Sequence, residues 1–365
     1  MDRIYADHNA TCPLSSVARA ALLGVLDLGP LNPGAVHGEG QRASRVLEGA
    51  RRQIRDALGL GGGVVVFTSG ATEANALAFS ARPPRSGRVW VSPLEHASVR
   101  EAVRGWEAQG LSVHRMGHDP RGRVDLAFLE EVREGDLVVL MAANNELGNL
   151  NPIDALGFAC AARGAALHVD AAQLAGRLPW RVPEGVTSVA LSAHKAGGPV
   201  GIGGLWLAAP QPVIPLWPGG SQERGWRPGT EDVAKASAMA AVYAAPEAWS
   251  ELVPLRDAIE RGLVERVGAV VLGDVDHRLP HTSSIALPGR RAEEVVQALD
   301  LEGVAISAGA ACSAGSLDPS PVIEALGVAP EVAQGAVRLS WGPGQGSRVS
   351  VEDIVSRFER ALRHL

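Results

Sequence analysis

Lysine is nearly missing from this sequence. Of its 34 basic residues only Lys195 and Lys235 are lysines, and the other 32 are arginines. A chain that meets its need for positive charge with arginine keeps a lysine where a guanidinium fails. Bonding covalently to an aldehyde is such a task, because a primary amine with a lowered pKa attacks a carbonyl while arginine stays protonated. Lys195 follows an apolar run over 186–191, as if a strand delivered it to the rim of a sheet. Read alone, a surface cation explains either lysine equally well, and the neighbours decide.

Other scarcities exclude whole classes of function. The three cysteines, Cys12, Cys160 and Cys312, are too few and too far apart for a disulfide framework or a cysteine zinc site. No apolar run approaches the roughly 20 residues that cross a bilayer. The N-terminal Met1-Asp2-Arg3-Ile4-Tyr5 lacks the apolar core of a secretory signal, so a cytoplasmic protein with no membrane partner is expected. Acidic residues outnumber basic ones by 40 to 34, and the arginines are scattered, which argues against a nucleic-acid surface. His114 and His118 flank Met116-Gly117 in a strand-to-loop segment, where a spacing of four does not align two ligands, so no metal is expected.

What is present points to a large α/β chain. Hydrophobic residues make up 46% of the 365 positions, ample for a sizeable core. Apolar runs of strand length recur at 64–67, 89–92, 137–142, 166–170, 186–191 and 204–208, with helical spacing at 16–29, 42–58 and between most of the runs. Continuous apolar strands alternating with helices predict a mostly parallel sheet covered on both faces. After Thr230 the pattern changes to helical stretches over 232–245 and on toward 267, then shorter strands at 282–287, 304–307 and 337–341 with helices near 292–299, 319–326 and 351–365. That region reads as an α+β unit.

Reactive residues gather where the strands of the first region end, which is where ligands bind in open α/β sheets. Phe67-Thr68-Ser69-Gly70-Ala71-Thr72-Glu73-Ala74-Asn75 is a strand, a turn of small residues and a helix start. It serves either as a phosphate cradle or simply as a capped helix. In His168-Val169-Asp170-Ala171-Ala172-Gln173 the carboxylate either holds a protonated ring nitrogen or caps a helix, and Gln173 can donate to a ring oxygen. Asn144-Asn145 before Glu146 divides likewise between turn chemistry and ligand contact. Cys12 and Cys160 read as small core residues. Cys312 differs, because 307–316 carries no large apolar side chain, and an accessible thiol there points to nucleophilic work.

Together these residues resemble the cysteine desulfurases, pyridoxal 5'-phosphate (PLP) enzymes of the class V aminotransferase family. The likeness runs nearly end to end and in order. It begins with Asp7-His8-Asn9-Ala10-Thr11, Asn32-Pro33 with His37-Gly38, the Thr68–Asn75 motif, Glu95-His96 and Asn144-Asn145-Glu146-Leu147-Gly148. It continues through His168–Gln173, Ser192-Ala193-His194-Lys195, Gly219-Gly220-Ser221-Gln222-Glu223-Arg224, Arg227-Pro228-Gly229-Thr230 and the Cys312 segment. The extended stretch after Cys312, through Leu317-Asp318-Pro319-Ser320, is similar to the subgroup that feeds iron–sulfur cluster assembly.

The resemblance implies the fold type I of PLP-dependent transferases. A large PLP-binding α/β domain over 15–245 would hold a mostly parallel seven-stranded sheet, and a smaller α+β domain over 246–365, with 1–14 packed on it, would carry the cysteine segment. By position, Lys195 would bind PLP covalently, Asp170 pair with its ring nitrogen, His96 stack on its face, and Gln173 contact its phenolic oxygen, with Asn145 also among the cofactor-binding residues. Ala71, Thr72, Ser192 and His194 would cradle the phosphate, with Thr230 reaching in from the partner subunit of a homodimer. Asn145 and Arg338 would hold L-cysteine, the latter as a fork for its carboxylate. Lys195, Cys312 and His96 would be catalytic, and the sulfur would leave Cys312 for an acceptor or iron–sulfur scaffold protein.

This sequence departs from the family at His8, at Val200 in place of a frequent lysine, at Pro321, and at Gly342-Pro343-Gly344 in place of Gly-Arg. A selenocysteine lyase or other β-elimination enzyme is the second reading. A non-catalytic scaffold that keeps the fold is the third.

Overall fold

The computed structural model describes residues 3–80, 87–209, 213–309 and 320–365. Its strands are β1 (Ile4–Tyr5), β2 (Val64–Thr68), β3 (Arg88–Val91), β4 (Ser112–Arg115), β5 (Leu137–Val139), β6 (Ala166–Asp170), β7 (Ser188–Ser192), β8 (Gly203–Leu207), β9 (Val270–Leu272), β10 (Thr282–Ala286), β11 (Val304–Ala305) and β12 (Ala336–Ser340). The helices are α1 (Ser16–Leu26), α2 (Gly38–Leu58), α3 (Ala71–Ser80), α4 (Ala97–Ala108), α5 (Ile153–Ala162), α6 (Val233–Ala244), α7 (Val253–Val267), α8 (Ala292–Leu301), α9 (Pro321–Ala325), α10 (Pro330–Ala333) and α11 (Val351–Leu362).

Seven strands form the main sheet in the order β2-β8-β7-β6-β5-β3-β4. β4, β3, β5, β6 and β7 run parallel, and β8 lies antiparallel between β2 and β7. Six of the seven were legible as apolar runs. The seventh, β4, reads Ser-Val-His-Arg and sits at the edge with its first and last residues exposed, so it has no continuous apolar signature.

Because side chains alternate along a strand, each central strand feeds two cores. Val65 and Phe67 pack with Leu47 and Ile54 of α2 and Met239 of α6 on one face. Val64 and Val66 pack with Ala74 and Leu77 of α3 on the other. The buried residues of α2, Ala43, Leu47, Ala50, Ile54 and Leu58, recur every three or four positions, and each large one contributes about 1.5–3 kcal/mol through burial. Gly59 closes this helix in the left-handed conformation.

The second region holds the antiparallel sheet β12-β10-β9 and the parallel pair β1-β11. Phe358 and Ile354 of α11, Leu263 of α7 and Val295 of α8 cover it. Ile4 pairs with Val304, and the main chain of Asp7 bridges to Ser340. The chain then crosses to the main sheet, where Cys12 N donates to the His194 carbonyl at 3.0 Å and Ser15 N to that of Gly197 at 2.8 Å. One N-terminal strip therefore links β12, which carries Arg338, to the turn that carries Lys195.

Several expected boundaries moved. The run at 304–307 is a two-residue strand followed by an isolated bridge from Ser307 to Arg338. The helix expected over 319–326 spans Pro321–Ala325, and residue 319 lies outside the described residues. Pro321 sits in its first turn, where its fixed φ and missing N–H are tolerated, behind the N-cap Ser320.

Candidate active site

The carboxyl ends of β2, β6 and β7 open into a cavity of about 410 Å³. Ten expected site residues line it: Ala71, Thr72, His96, Asn145, Asp170, Gln173, Ser192, His194, Lys195 and Arg338. Thr230 is exposed and is not among the lining residues. Cys312 lies outside the described residues.

Each lining side chain owes its place to an element end. Asp170 and Ser192 close β6 and β7, and Lys195 sits in a single 3-10 turn directly after β7. Ala71 and Thr72 begin α3. That helix start approaches β8 closely because both strand and turn use glycine: a Cβ on Gly203 would lie 2.6 Å from Gly70 Cα. His96 is the N-cap of α4. Arg338 enters from the other sheet on β12, buried to 2% exposure.

The hydrogen bonds fix protonation as well as position. Asp170 Oδ1 accepts from Ala172 N at 2.9 Å and Oδ2 from Asn75 Nδ2 at 2.8 Å. Asn75 Oδ1 faces His168 Nε2 at 3.0 Å, and His168 Nδ1 faces the Ser188 hydroxyl at 2.8 Å. Burial lowers the His168 pKa to about 4, so the ring is neutral, and an amide oxygen only accepts. His168 therefore carries its proton on Nε2. At His96, Nδ1 accepts from Ser98 N at 3.1 Å and faces Ser98 Oγ at 2.8 Å. The bond accepted at Nδ1 places a ring proton on Nε2, and burial lowers the pKa of this ring too.

Lys195 Nζ donates to the carbonyls of Asn9 at 2.5 Å and Ala10 at 2.9 Å. Lys235, by contrast, makes an ordinary surface pair with Asp232 at 3.2 Å. Gln173 Oε1 accepts from Arg177 at 2.6 Å and its Nε2 donates to Asn9 O at 3.0 Å, which leaves one amide hydrogen for a ligand. Arg338 gives Nη2 to Asp7 at 2.6 Å and Nη1 to Asn145 O at 2.8 Å, while its buried Nε has no partner among the described residues.

This donor set suits an aromatic aldehyde phosphate. It offers a buried carboxylate for a ring cation, an amine for the aldehyde, an imidazole for the ring face, and a helix start with the Ser192 hydroxyl for a phosphate. Residues 4–346 match the family described as aminotransferase class-V. The chain belongs to that family.

Relatives and solved structures agree with this family assignment. A "Cysteine desulfurase" of Cereibacter sphaeroides is 39% identical over 93% of this chain and 91% of its own. A solved "NifS-like protein" superposes with a TM-score of 0.87 at 29% identity, covering 100% of both chains. The structure described as "SspA in complex with cysteine" gives 0.82 at 27% identity, over 93% of this chain and 99% of that one.

Within this class-V member, several residues of the site escaped the sequence reading. Asn75 and His168 lay inside quoted motifs without a role, although His168 and Asp170 are two apart on one strand and so share a face. Arg177 lies four residues after Gln173, a spacing that offered the only clue to it. Cys12 packs half-buried against the second core, as expected of a small core residue, and its Sγ also lies 2.9 Å from the Lys195 carbonyl. Among the departures, Val200 is 68% exposed at the cavity mouth. His8 and Gly342 form a matched pair, since a Cβ at 342 would meet His8 Nε2 at 2.0 Å.

Proposed function

We propose that this chain is a PLP-dependent cysteine desulfurase that converts L-cysteine to L-alanine and receives the sulfur on Cys312 as a persulfide. The observation that carries the reading is the meeting of Lys195, Asp170, His96 and Arg338 around one cavity. PLP, when bound, supplies an electron sink for the bond changes at the substrate's Cα and Cβ.

This chain's own residues supply the rest. Lys195 anchors the coenzyme and, once released, takes the Cα proton. Asp170 holds a proton on the coenzyme ring, itself held by Asn75 and Ala172. The α3 start, Thr72, Ser192 and His194 receive the phosphate, and burial keeps His194 neutral, with its pKa lowered to about 4, so it serves as a hydrogen-bonding partner and not as a cation. Arg338, steadied by Asp7 and the Asn145 carbonyl, directs its remaining donors at the substrate carboxylate. The Cys312 thiolate forms a bond to the substrate sulfur as the Cβ–S bond breaks, the electron pair staying with the carbon skeleton, which gains a proton and departs as alanine. The described residues flanking that segment support this role, because Gly309 and Ser320 both adjoin Glu146, next to Asn145.

The reading extends to a homodimer with a division of the chain near 245–246. Thr230 is exposed, and Ile214, Leu216 and Trp217, which precede it, leave apolar surface uncovered that a second subunit would bury. The sulfur would pass onward to an acceptor protein for iron–sulfur cluster or other sulfur-cofactor synthesis. The test is mass spectrometry after cysteine treatment, with one added sulfur expected on the peptide containing Cys312. Cys312→Ala is expected to stay yellow and stop releasing alanine from cysteine. Wild-type turnover by that variant would refute the assignment of the nucleophile, and retained turnover on selenocysteine alone would favour the lyase reading.

A further inference from the structure

Arg177 follows β6 by seven residues, and its side chain is completely buried. All five of its N–H groups are spent inside the protein. Nε donates to the Lys195 carbonyl at 2.6 Å, and Nη1 to Gln173 Oε1 at 2.6 Å and Asn9 Oδ1 at 2.8 Å. Nη2 donates to the His8 carbonyl at 2.7 Å and approaches Cys12 Sγ at 3.6 Å. Among the described residues no carboxylate lies within ion-pair distance of it, and its charge rests against the Trp249 ring at 4.8 Å.

A buried cation without a counter-ion is costly, and a chain that needs only packing there does better with an apolar residue. The contacts show what the guanidinium does that such a residue cannot. Apart from Gln173 and His281, whose Nε2 faces Nη1 at 2.9 Å, its hydrogen-bond partners belong to two segments that meet at the Lys195 amine. One is the lysine's own main chain. The other is the strip from His8 to Cys12, whose Asn9 and Ala10 carbonyls accept from Nζ. A single planar fork thus sets the separation between the base of the lysine and the acceptors that hold its tip. The same fork pins Gln173, which borders the cavity.

We propose that Arg177 is a positioning residue of the reaction: it registers the His8–Cys12 strip against the Lys195 turn, so that the freed amine has a fixed resting place and a fixed reach to the substrate's Cα hydrogen. The proposal rests on the reading of Lys195 as the coenzyme lysine. Arg177 touches neither substrate nor coenzyme and acts through Lys195 and Gln173. Displacing a reacting group by about 1 Å costs on the order of 100-fold in rate.

The experiment compares coenzyme-loaded wild type with Arg177→Gln and Arg177→Lys, using cysteine and α-deuterated cysteine. In Arg177→Gln, kcat per coenzyme-loaded site is expected to fall about 100-fold while KM for cysteine stays within about threefold. The deuterium effect on kcat is expected to rise, because removal of the Cα proton becomes limiting. Loss of the visible band on dilution, which reports coenzyme release without turnover, should quicken. Arg177→Lys keeps one charged donor and is expected to recover part of kcat, and it carries the test if the glutamine variant fails to fold. An unchanged deuterium effect and unchanged per-site kcat in both variants, with only the denaturation midpoint lowered, would overturn the proposal. Borohydride trapping followed by peptide mapping separates the two ideas: coenzyme found away from Lys195 sinks the underlying reading, whereas coenzyme on Lys195 with unaltered kinetics sinks the role of Arg177 alone.

Discussion

Replacing Asn75 by alanine tests how the Asp170 carboxylate is held. The amide of Asn75 is fully buried and sits at the centre of a chain that runs from His96 through Ser98 to Asp170 and His168. Its Nδ2 donates to Asp170 Oδ2 at 2.8 Å and to Ser98 Oγ at 2.9 Å. Asn75→Ala removes a hydrogen bond to a charged group, worth about 1.5–3 kcal/mol, and strands the His168 Nε2–H, which costs about 1–3 kcal/mol more. The expected loss is roughly 3–5 kcal/mol in urea denaturation of the coenzyme-free protein. Because the stranded donor belongs to His168, a second variant, His168→Phe, removes that part of the penalty. In a double-mutant cycle the two changes should couple by about 1–2 kcal/mol, the double variant being more stable than the sum predicts. Coenzyme affinity should also weaken in Asn75→Ala, since Asp170 loses the donor that orients it. A stability change below about 1 kcal/mol, or additive effects, would refute both the tautomer assigned to His168 and the reasoning behind it.

Two further outcomes follow from buried charge. Glu223 binds Arg51 through both oxygens, at 2.5 and 2.7 Å, and accepts from Phe67 N at 3.1 Å, so Glu223→Gln leaves a mostly buried cation with only the exposed Glu48 as counter-ion, at 2.9 Å, and should cost about 2–3 kcal/mol in urea denaturation. Glu223→Gly relieves a left-handed backbone with φ of 47° but recovers only about 1–2 kcal/mol, so it should remain below wild type, and equality with wild type would show the pair to be idle. Burial, aided by the charge of Asp170, pushes the carboxyl of Glu95 up to about 8 from its ordinary 4.5. A folded pKa raised above the unfolded one means that the folded state binds more protons, so the associated stability is present below 4.5 and is lost as pH climbs toward 8. Glu95→Gln should therefore gain on wild type by about 1.4 kcal/mol per pH unit across that window, and parallel stability curves would contradict the buried acid.

Much of the architecture was already legible in the residue pattern. Uninterrupted apolar runs announced the central strands, because a strand buried on both faces has no polar side to show. Small and reactive residues directly after those runs marked where a ligand binds, since chain order puts strand ends and helix starts along one rim. The near absence of lysine singled out Lys195, and the structure separates it from Lys235 by its partners. The edge strand β4 stayed hidden for the opposite reason, as its exposed first and last positions carry no apolar signal.

What the sequence determined by itself is the chemical inventory: an amine, a carboxylate, an imidazole and a guanidinium, each placed near the end of a local element by patterns only a few residues long. Tertiary structure alone decided how that inventory is held. Asn9 meets Lys195 across 186 positions and Thr282 across 273, and Arg338 reaches Asp7 across 331. Contacts of that span depend on how sheets and strips pack together, and no local pattern encodes them. The buried amides of Asn9 and Asn75 and the guanidinium of Arg177 were unreadable for this reason: their roles come from neighbours that only the folded chain assembles.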